Sequence, residues 1–396
     1  MEADPLERAI NIVLERHEIL GTQYYFCKET NAIRRRLGLD LPHVRRLSTM
    51  TFTTFQVPDH ISKPLNLVNN PLLEAALVNW LEGAMLFLRL HHIVTDKDSV
   101  HTITDDIQND HVSVISHGEE SLMVISLLLQ YAQWASWIRS HPPLLPPSTD
   151  DFWKQQLSSR PRLPFSHVTE SVGGESGAST SIQVSHSEPA SQSFAIAAVS
   201  LAVYMVTGIK DVVIGASHAD RSFPNTQSLV GIFLDRLPVR IHVTAETMLS
   251  RSSFLSHSQE QLQKCLMHIV SFQSIQQCVS DGSSIPFDVI VSFHRGHDLM
   301  DEKPTADRKS EVPIHSRLLR DENAALFPVL VNVIEMDGNI NYSILYKPNL
   351  VDEAHMSTMK QVLGGFTSGK ESLIDIVERF QTKGNAGEGA RLVHSY

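Results

Sequence analysis

Leu6, Ala9, Ile10, Val13 and Leu14 repeat at intervals of three and four, which predicts an opening helix with one apolar stripe. Asp4-Pro5-Leu6-Glu7 supplies its start: Asp4 can cap, Pro5 suits the first helical position and Glu7 closes a capping box. Residues 20–27, 47–57 and 85–94 are rich in β-branched and aromatic side chains and read as strands. A long helix is predicted over 121–140, carrying Tyr131, Trp134 and Trp137, and a proline cluster at 142, 143, 146 and 147 stops it. A helix restarts over 151–157. Glycine, serine, threonine and alanine then dominate 172–193, apart from an alternating strand-like stretch at 180–185. Helices follow at 194–206 and 248–269, with strands at 212–216, 237–243, 288–294, 327–335 and 340–346. Gly364-Gly365 reads as a helix C-cap and loop, and the charged stretch 301–322 as a solvated loop.

The pattern is that of an α/β protein in two similar halves, residues 1–165 and 166–382, with a disordered tail at 383–396. Composition narrows the function classes. A net charge of -11, from 33 basic and 44 acidic residues, argues against nucleic acid as a partner. The longest apolar run has 13 residues (194–206), short of a membrane span, and no secretory leader is visible. Cys27, Cys265 and Cys278 are too few and too scattered for a disulfide framework or a cysteine metal site. A cytoplasmic protein with no metal and no membrane attachment is the expectation.

The stretch with chemical potential is Arg89-Leu90-His91-His92-Ile93-Val94-Thr95-Asp96-Lys97-Asp98-Ser99, where a predicted strand gives way to a loop. An imidazole with a near-neutral pKa can accept a proton from an attacking amine or hydroxyl, and a carboxylate four residues on can fix the geometry of ring or loop. In a chain with 20 histidines such a spacing also arises by chance. A metal site on His91, His92 and Asp96 is disfavoured, because adjacent strand residues point to opposite faces.

His91-His92-x-x-x-Asp96 resembles the core motif of nonribosomal peptide synthetase condensation domains, His-His-x-x-x-Asp-Gly, and further similarities follow in order along the chain. Arg16-His17-Glu18-Ile19-Leu20, Tyr131-Ala132-Gln133-Trp134, Phe152-Trp153 to Leu157, Asp220-Arg221, Leu229-Val230-Gly231-Ile232-Phe233 to Arg240 and Pro286-Phe287-Asp288 each resemble a family element. The resemblance implies two chloramphenicol-acetyltransferase-like halves forming a V around a central tunnel. It implies a transferase that moves an acyl group from a carrier-bound phosphopantetheine thioester to an amine or alcohol. Its partners would be an acyl or peptidyl carrier protein and the small acceptor, with no bound cofactor beyond that arm. His92 takes the position of the catalytic histidine; His91, Asp96 and Arg221 take structural positions, with Asp96 paired to Arg221. Lys97, Ser99 and Asp235 fall where they would line the site or tunnel.

The chain departs from the family at several positions. Lys97 stands where the family has glycine, Gly21 where it has arginine, and Asp235 where it has asparagine. The opening Ser-x-x-Gln motif has no counterpart, which reads either as a trimmed reading frame or as a reduced relative. Two other readings stay open at this point. One is a coenzyme A-dependent acyltransferase using His92-x-x-x-Asp96, although its usual Asp-Phe-Gly-Trp-Gly is missing; the other is a non-catalytic module that docks carriers.

Overall fold

The computed structural model describes residues 3–37, 44–46, 65, 67–68, 72–80, 83–117, 129–141, 148–165, 177–186, 188–219, 221, 223–278, 285–295 and 327–384. By internal contacts the chain divides into two units. Among the described residues, the first gathers those within 1–144 and 219–234, and the second those within 145–218, 235–295 and 327–384.

In the first unit, helix α1 (Ala3–Arg16) turns Leu6, Ile10, Val13 and Leu14 into a buried cluster. A short 3-10 turn, Glu18–Gly21, leads into strand β1 (Thr22–Cys27), which pairs antiparallel with β2 (Ala32–Leu37). A three-stranded sheet follows: β3 (Val44–Arg46) lies parallel to β4 (Leu73–Trp80), and β4 antiparallel to β5 (Gly83–Leu90). The strand expected over 85–94 therefore ends at Leu90. His91 to Val94 form a turn, because His91 N–H closes on the Leu72 carbonyl and Val94 N–H on the His91 carbonyl.

Helix α2 (Lys97–His117) then packs against α1, its Ile103 and Ile107 completing the same apolar cluster. The hydrophobic pattern gave no sign of this helix. Its buried face mixes Ile103, Ile107 and Val114 with Ser99, Asp110 and His111, and its β-branched and Asp/Asn residues favour helix weakly. The helix expected from residue 121 is described only from α3 (Tyr131–Ser140), since 121–128 lie outside the described residues. Gln130 sets its start by a reciprocal capping box with Gln133, leaving Leu129 and Gln130 non-helical.

The second unit holds α4 (Thr149–Leu157), β6 (Ala178–Ser185), α5 (Gln192–Thr207), β7 (Asp211–Ala219), β8 (Leu234–His242), α6 (Arg251–Met267), α7 (Phe272–Gln277), β9 (Val289–Arg295), β10 (Val329–Met336), β11 (Asn339–Tyr346), α8 (Glu353–Ser368) and α9 (Leu373–Gly384). Six strands form one mixed sheet in the order β6-β11-β10-β9-β7-β8. The β6–β11 and β11–β10 pairs are antiparallel, and β10–β9 and β9–β7 parallel. Helix α5 is apolar on nearly every face and buried from Ser193 to Tyr204, as its unbroken apolar run requires. Ser191 caps its N-terminus by accepting the Phe194 N–H, and Gly208 ends it at φ +71°, where a side chain would be strained.

Two expectations change here. Gly364 and Gly365 lie inside α8, which ends instead at Gly369 with φ +63°. Gly365 is there for closeness: an added Cβ would come within 3.3 Å of Ile376 on α9. The expected strand at 47–57, the charged stretch 301–322 and the tail beyond Gly384 lie outside the described residues.

Candidate active site

The loop between β5 and α2 is built by its own polar atoms. Asp96 closes it as the cap of α2: Oδ1 accepts the Ser99 N–H at 2.8 Å, and the Asp96 carbonyl accepts the Val100 N–H at 3.2 Å. Lys97, in place of the family's glycine, is the first residue of this helix and is absent from the described non-glycine residues with positive φ. Its backbone therefore needs no glycine. His91 is half-buried and accepts the Ile93 N–H through Nδ1 at 3.1 Å. Burial, with repulsion from His92, pushes its pKa below the usual histidine value.

His92 differs from its neighbour in being exposed. Its Nδ1 stands 2.6 Å from the Thr95 carbonyl. A carbonyl only accepts, so Nδ1 carries the hydrogen and, in the neutral ring, Nε2 carries the lone pair. The loop thus fixes both ring orientation and tautomer.

Asp96 is buried, and three N–H donors and a hydroxyl from three parts of the chain converge on its carboxylate. Besides the Ser99 amide, Arg221 donates from Nη2 to Oδ1 at 2.6 Å, the Phe233 N–H donates to Oδ2 at 3.1 Å, and the Ser99 hydroxyl lies 2.7 Å from Oδ1. Arg221 is also held in place. It donates from Nη1 to the carbonyls of Thr226 and Leu229, pairs through Nε with Asp98 at 3.3 Å, and lies 4.1 Å above the Phe233 ring. Asp220, which precedes it in the motif, lies outside the described residues.

Sequence reasoning passed over the means by which residues 229–233 are held. The Tyr131 hydroxyl donates to the Ile232 carbonyl at 2.7 Å, and the Tyr131 ring lies so close to Gly231 that a Cβ there would stand 2.0 Å from it. Glycine is needed at 231 for that contact. Burial, first among the causes, pushes the Tyr131 phenol up to about 12, so it serves as a donor across the physiological range. The motif around Arg16 is structural as well: Arg16 grips Asp106 and Asp110 of α2, and His17 Nε2 meets Asp106 at 2.8 Å.

Of the remaining expected site residues, Ser99 is fully buried in the first turn of α2. Asp235 belongs to the second unit, where its carboxylate accepts the backbone N–H groups of Phe272 and Arg236, and burial raises its pKa. Among the described residues no group of three or more His, Cys, Asp or Glu side chains is placed to hold a metal ion, and no helix is long and apolar enough to cross a membrane.

Comparison with known proteins bears on the fold and the family. The chain is 24% identical over 378 residues to the nonribosomal peptide synthetase tcpP of Claviceps purpurea, an alignment covering 90% of this chain and 17% of that synthetase. Among solved structures, the X-domain from teicoplanin biosynthesis superposes with a TM-score of 0.74 at 18% identity, covering 95% of this chain and 90% of its own. A mutant starter condensation domain of rhizomide synthetase RzmA, in complex with C8-CoA and Leu-SNAC, superposes with a TM-score of 0.73 at 16% identity, covering 95% and 88%. The α/β fold is thus that of the condensation-domain structures. The profile of the condensation domain matches residues 1–368, and this chain belongs to the condensation-domain family of nonribosomal peptide synthesis.

Proposed function

We propose that this chain transfers an acyl group from a phosphopantetheine-borne thioester to an amine or alcohol, with His92 as the base. The observation that carries the proposal is the exposed His92 ring, locked by Thr95 in the tautomer that leaves Nε2 able to accept a proton. The acceptor attacks the thioester carbonyl carbon as its N–H or O–H proton passes to Nε2. The tetrahedral intermediate then collapses, the C–S bond breaks, and the departing thiolate takes the proton from the imidazolium. An amide or ester and a free thiol result, with no oxidant or metal in the balance.

Asp96 and Arg221 contribute by holding the loop, since both are engaged with backbone groups and with each other. His91, directed inward onto the Ile93 amide, shapes the turn. A carrier protein delivering the donor is the partner this chemistry calls for. The family assignment favours that donor over the coenzyme A-dependent class.

The test is mass spectrometry of the protein incubated with an acyl-loaded carrier protein, or with C8-CoA as surrogate, and aminoacyl-SNAC or simple amine and alcohol acceptors. His92→Ala should lower product formation by about 10²- to 10⁴-fold, the usual contribution of a positioned general base, while the circular dichroism spectrum stays unchanged. Full turnover by the folded variant would overturn the assignment.

A further inference from the structure

Ser99 takes no part in the proposed proton transfer, yet its hydroxyl is surrounded by the groups that shape the site. Oγ accepts the Gly231 N–H and the Arg221 Nη2–H, both at 3.0 Å, and lies 2.7 Å from each of Asp96 Oδ1 and Gly231 O. A hydroxyl has one proton to give and two lone pairs to offer. Both lone pairs are in use, and the proton serves one of two oxygens at a time. Donated to Gly231, it closes a two-bond ring on a single backbone residue, as a neighbouring β-strand would; donated to Asp96, it reinforces the cap of α2.

We infer that Ser99 is a positioning residue: it clasps residues 229–233 to the histidine loop and thereby keeps the His92 ring in its reactive tautomer. The path is short and physical. The clasp fixes Asp96, and the residue before Asp96 is Thr95, whose carbonyl holds His92 Nδ1. Ser99 is fully buried, so the Gly231 N–H and carbonyl it serves have no ready water to replace it. If the loop shifts, the Thr95 carbonyl shifts with it, and the ring loses what selects Nδ1–H over Nε2–H.

The inference rests on the acyl-transfer reading only for its kinetic arm, and the experiment separates the two. The wild-type full chain, Ser99→Ala and Ser99→Cys are compared by nitrogen-15 NMR of the His92 ring, amide hydrogen exchange and steady-state kinetics. In Ser99→Ala the Nε2–H tautomer should rise, and the Gly231 and Phe233 amides should exchange about tenfold faster or more, while those of α5 keep their protection. The kcat should fall by a similar factor with KM for the donor little changed. Ser99→Cys, close in volume and a weaker hydrogen-bond partner, should fall between the two, and it carries the comparison if the alanine variant does not fold. Unchanged tautomer ratio and exchange in these variants would overturn the clasp. So would a loss of protection spread evenly over α1, α2 and Gly231, which would mark Ser99 as a packing residue alone. A wild-type protein without histidine-dependent product would count against the acyl-transfer reading, and the tautomer and exchange data would still decide the clasp.

Discussion

The six-stranded sheet of the second unit and the histidine loop of the first are held by opposite means. The sheet rests on α5, α6 and α8 through side chains that are almost all apolar and almost all fully buried, among them Ile196, Val199, Phe254, Val331, Ile344 and Phe366. The loop is held by a buried carboxylate, a guanidinium, a hydroxyl and the backbone of residues 229–233. Hydrophobic burial is non-directional and tolerates redistribution, whereas each polar group in the loop is matched in direction to particular partners. The sheet can therefore absorb small changes that the loop cannot, and the loop can fix an imidazole to within one hydrogen bond.

The strongest break in this comparison is Arg221→Ala set beside Phe254→Ala. Both should lower the unfolding free energy in urea by about 3–5 kcal/mol, the first by stranding a buried Asp96 carboxylate and the second by opening a cavity. They should part when the partner is changed as well: adding Asp96→Asn to Arg221→Met removes the stranded charge while keeping an oxygen for the Ser99 or Phe233 amide, and should recover part of the lost stability without recovering transfer. If the double variant is no more stable than Arg221→Ala, the buried charge is not what governs the loop.

A smaller effect is expected from Gly231→Ala, which forces the Tyr131 ring aside and should cost about 1–3 kcal/mol as an overpacked contact. Gly215→Ala meets the ring of Phe287 in the sheet core at 2.4 Å, and is the matching change on the apolar side. At equal loss of stability, Gly231→Ala should depress transfer and Gly215→Ala should leave it near wild type. Equal transfer rates in the two would remove any special place for residues 229–233.

The smallest effect comes from His91. Its folded-state pKa is depressed by burial and by His92, so the unfolded chain binds the proton more readily. Stability from this source is full above the ordinary histidine value of about 6.5, and is lost as pH falls toward the folded-state value. His91→Gln should flatten the decline in unfolding free energy between about pH 7 and pH 5. It should not abolish it, because His111 and His257 are depressed in the same direction. A steeper decline in the variant would reverse the sign assigned to His91.

The two regions also differ in how far their sequence reveals them. In the second unit the apolar run at 194–206 became α5 (Gln192–Thr207), and 340–346 became β11 (Asn339–Tyr346), because the apolar positions that define these elements are the ones they bury. Helix α2 was hidden by a buried face that is half polar. Arg221 as the partner of Asp96 was readable only through family resemblance, since 125 residues separate them and periodicity says nothing at that range. The requirement for glycine at 231 depends on Tyr131, 100 residues upstream by sequence number, and no local signal connects them. Lys97, at a position where the resembling motif has glycine, is an ordinary first residue of a helix, a backbone state that the sequence alone does not specify.

The clasp of Ser99 on Gly231 spans 132 residues of chain. Closing a flexible loop of that length costs roughly 4 kcal/mol in chain entropy beyond any local ordering, while α1, α2 and the β4–β5 hairpin require far shorter closures. During synthesis the histidine loop is thus made early and anchored late. Until residues 221–233 have left the ribosome, Asp96 lacks Arg221 and the Phe233 amide, and the turn carrying His92 rests on local contacts alone. The last contacts to form are those that anchor the loop behind the imidazole, so an incomplete chain has the helices of its first unit before it has a fixed site.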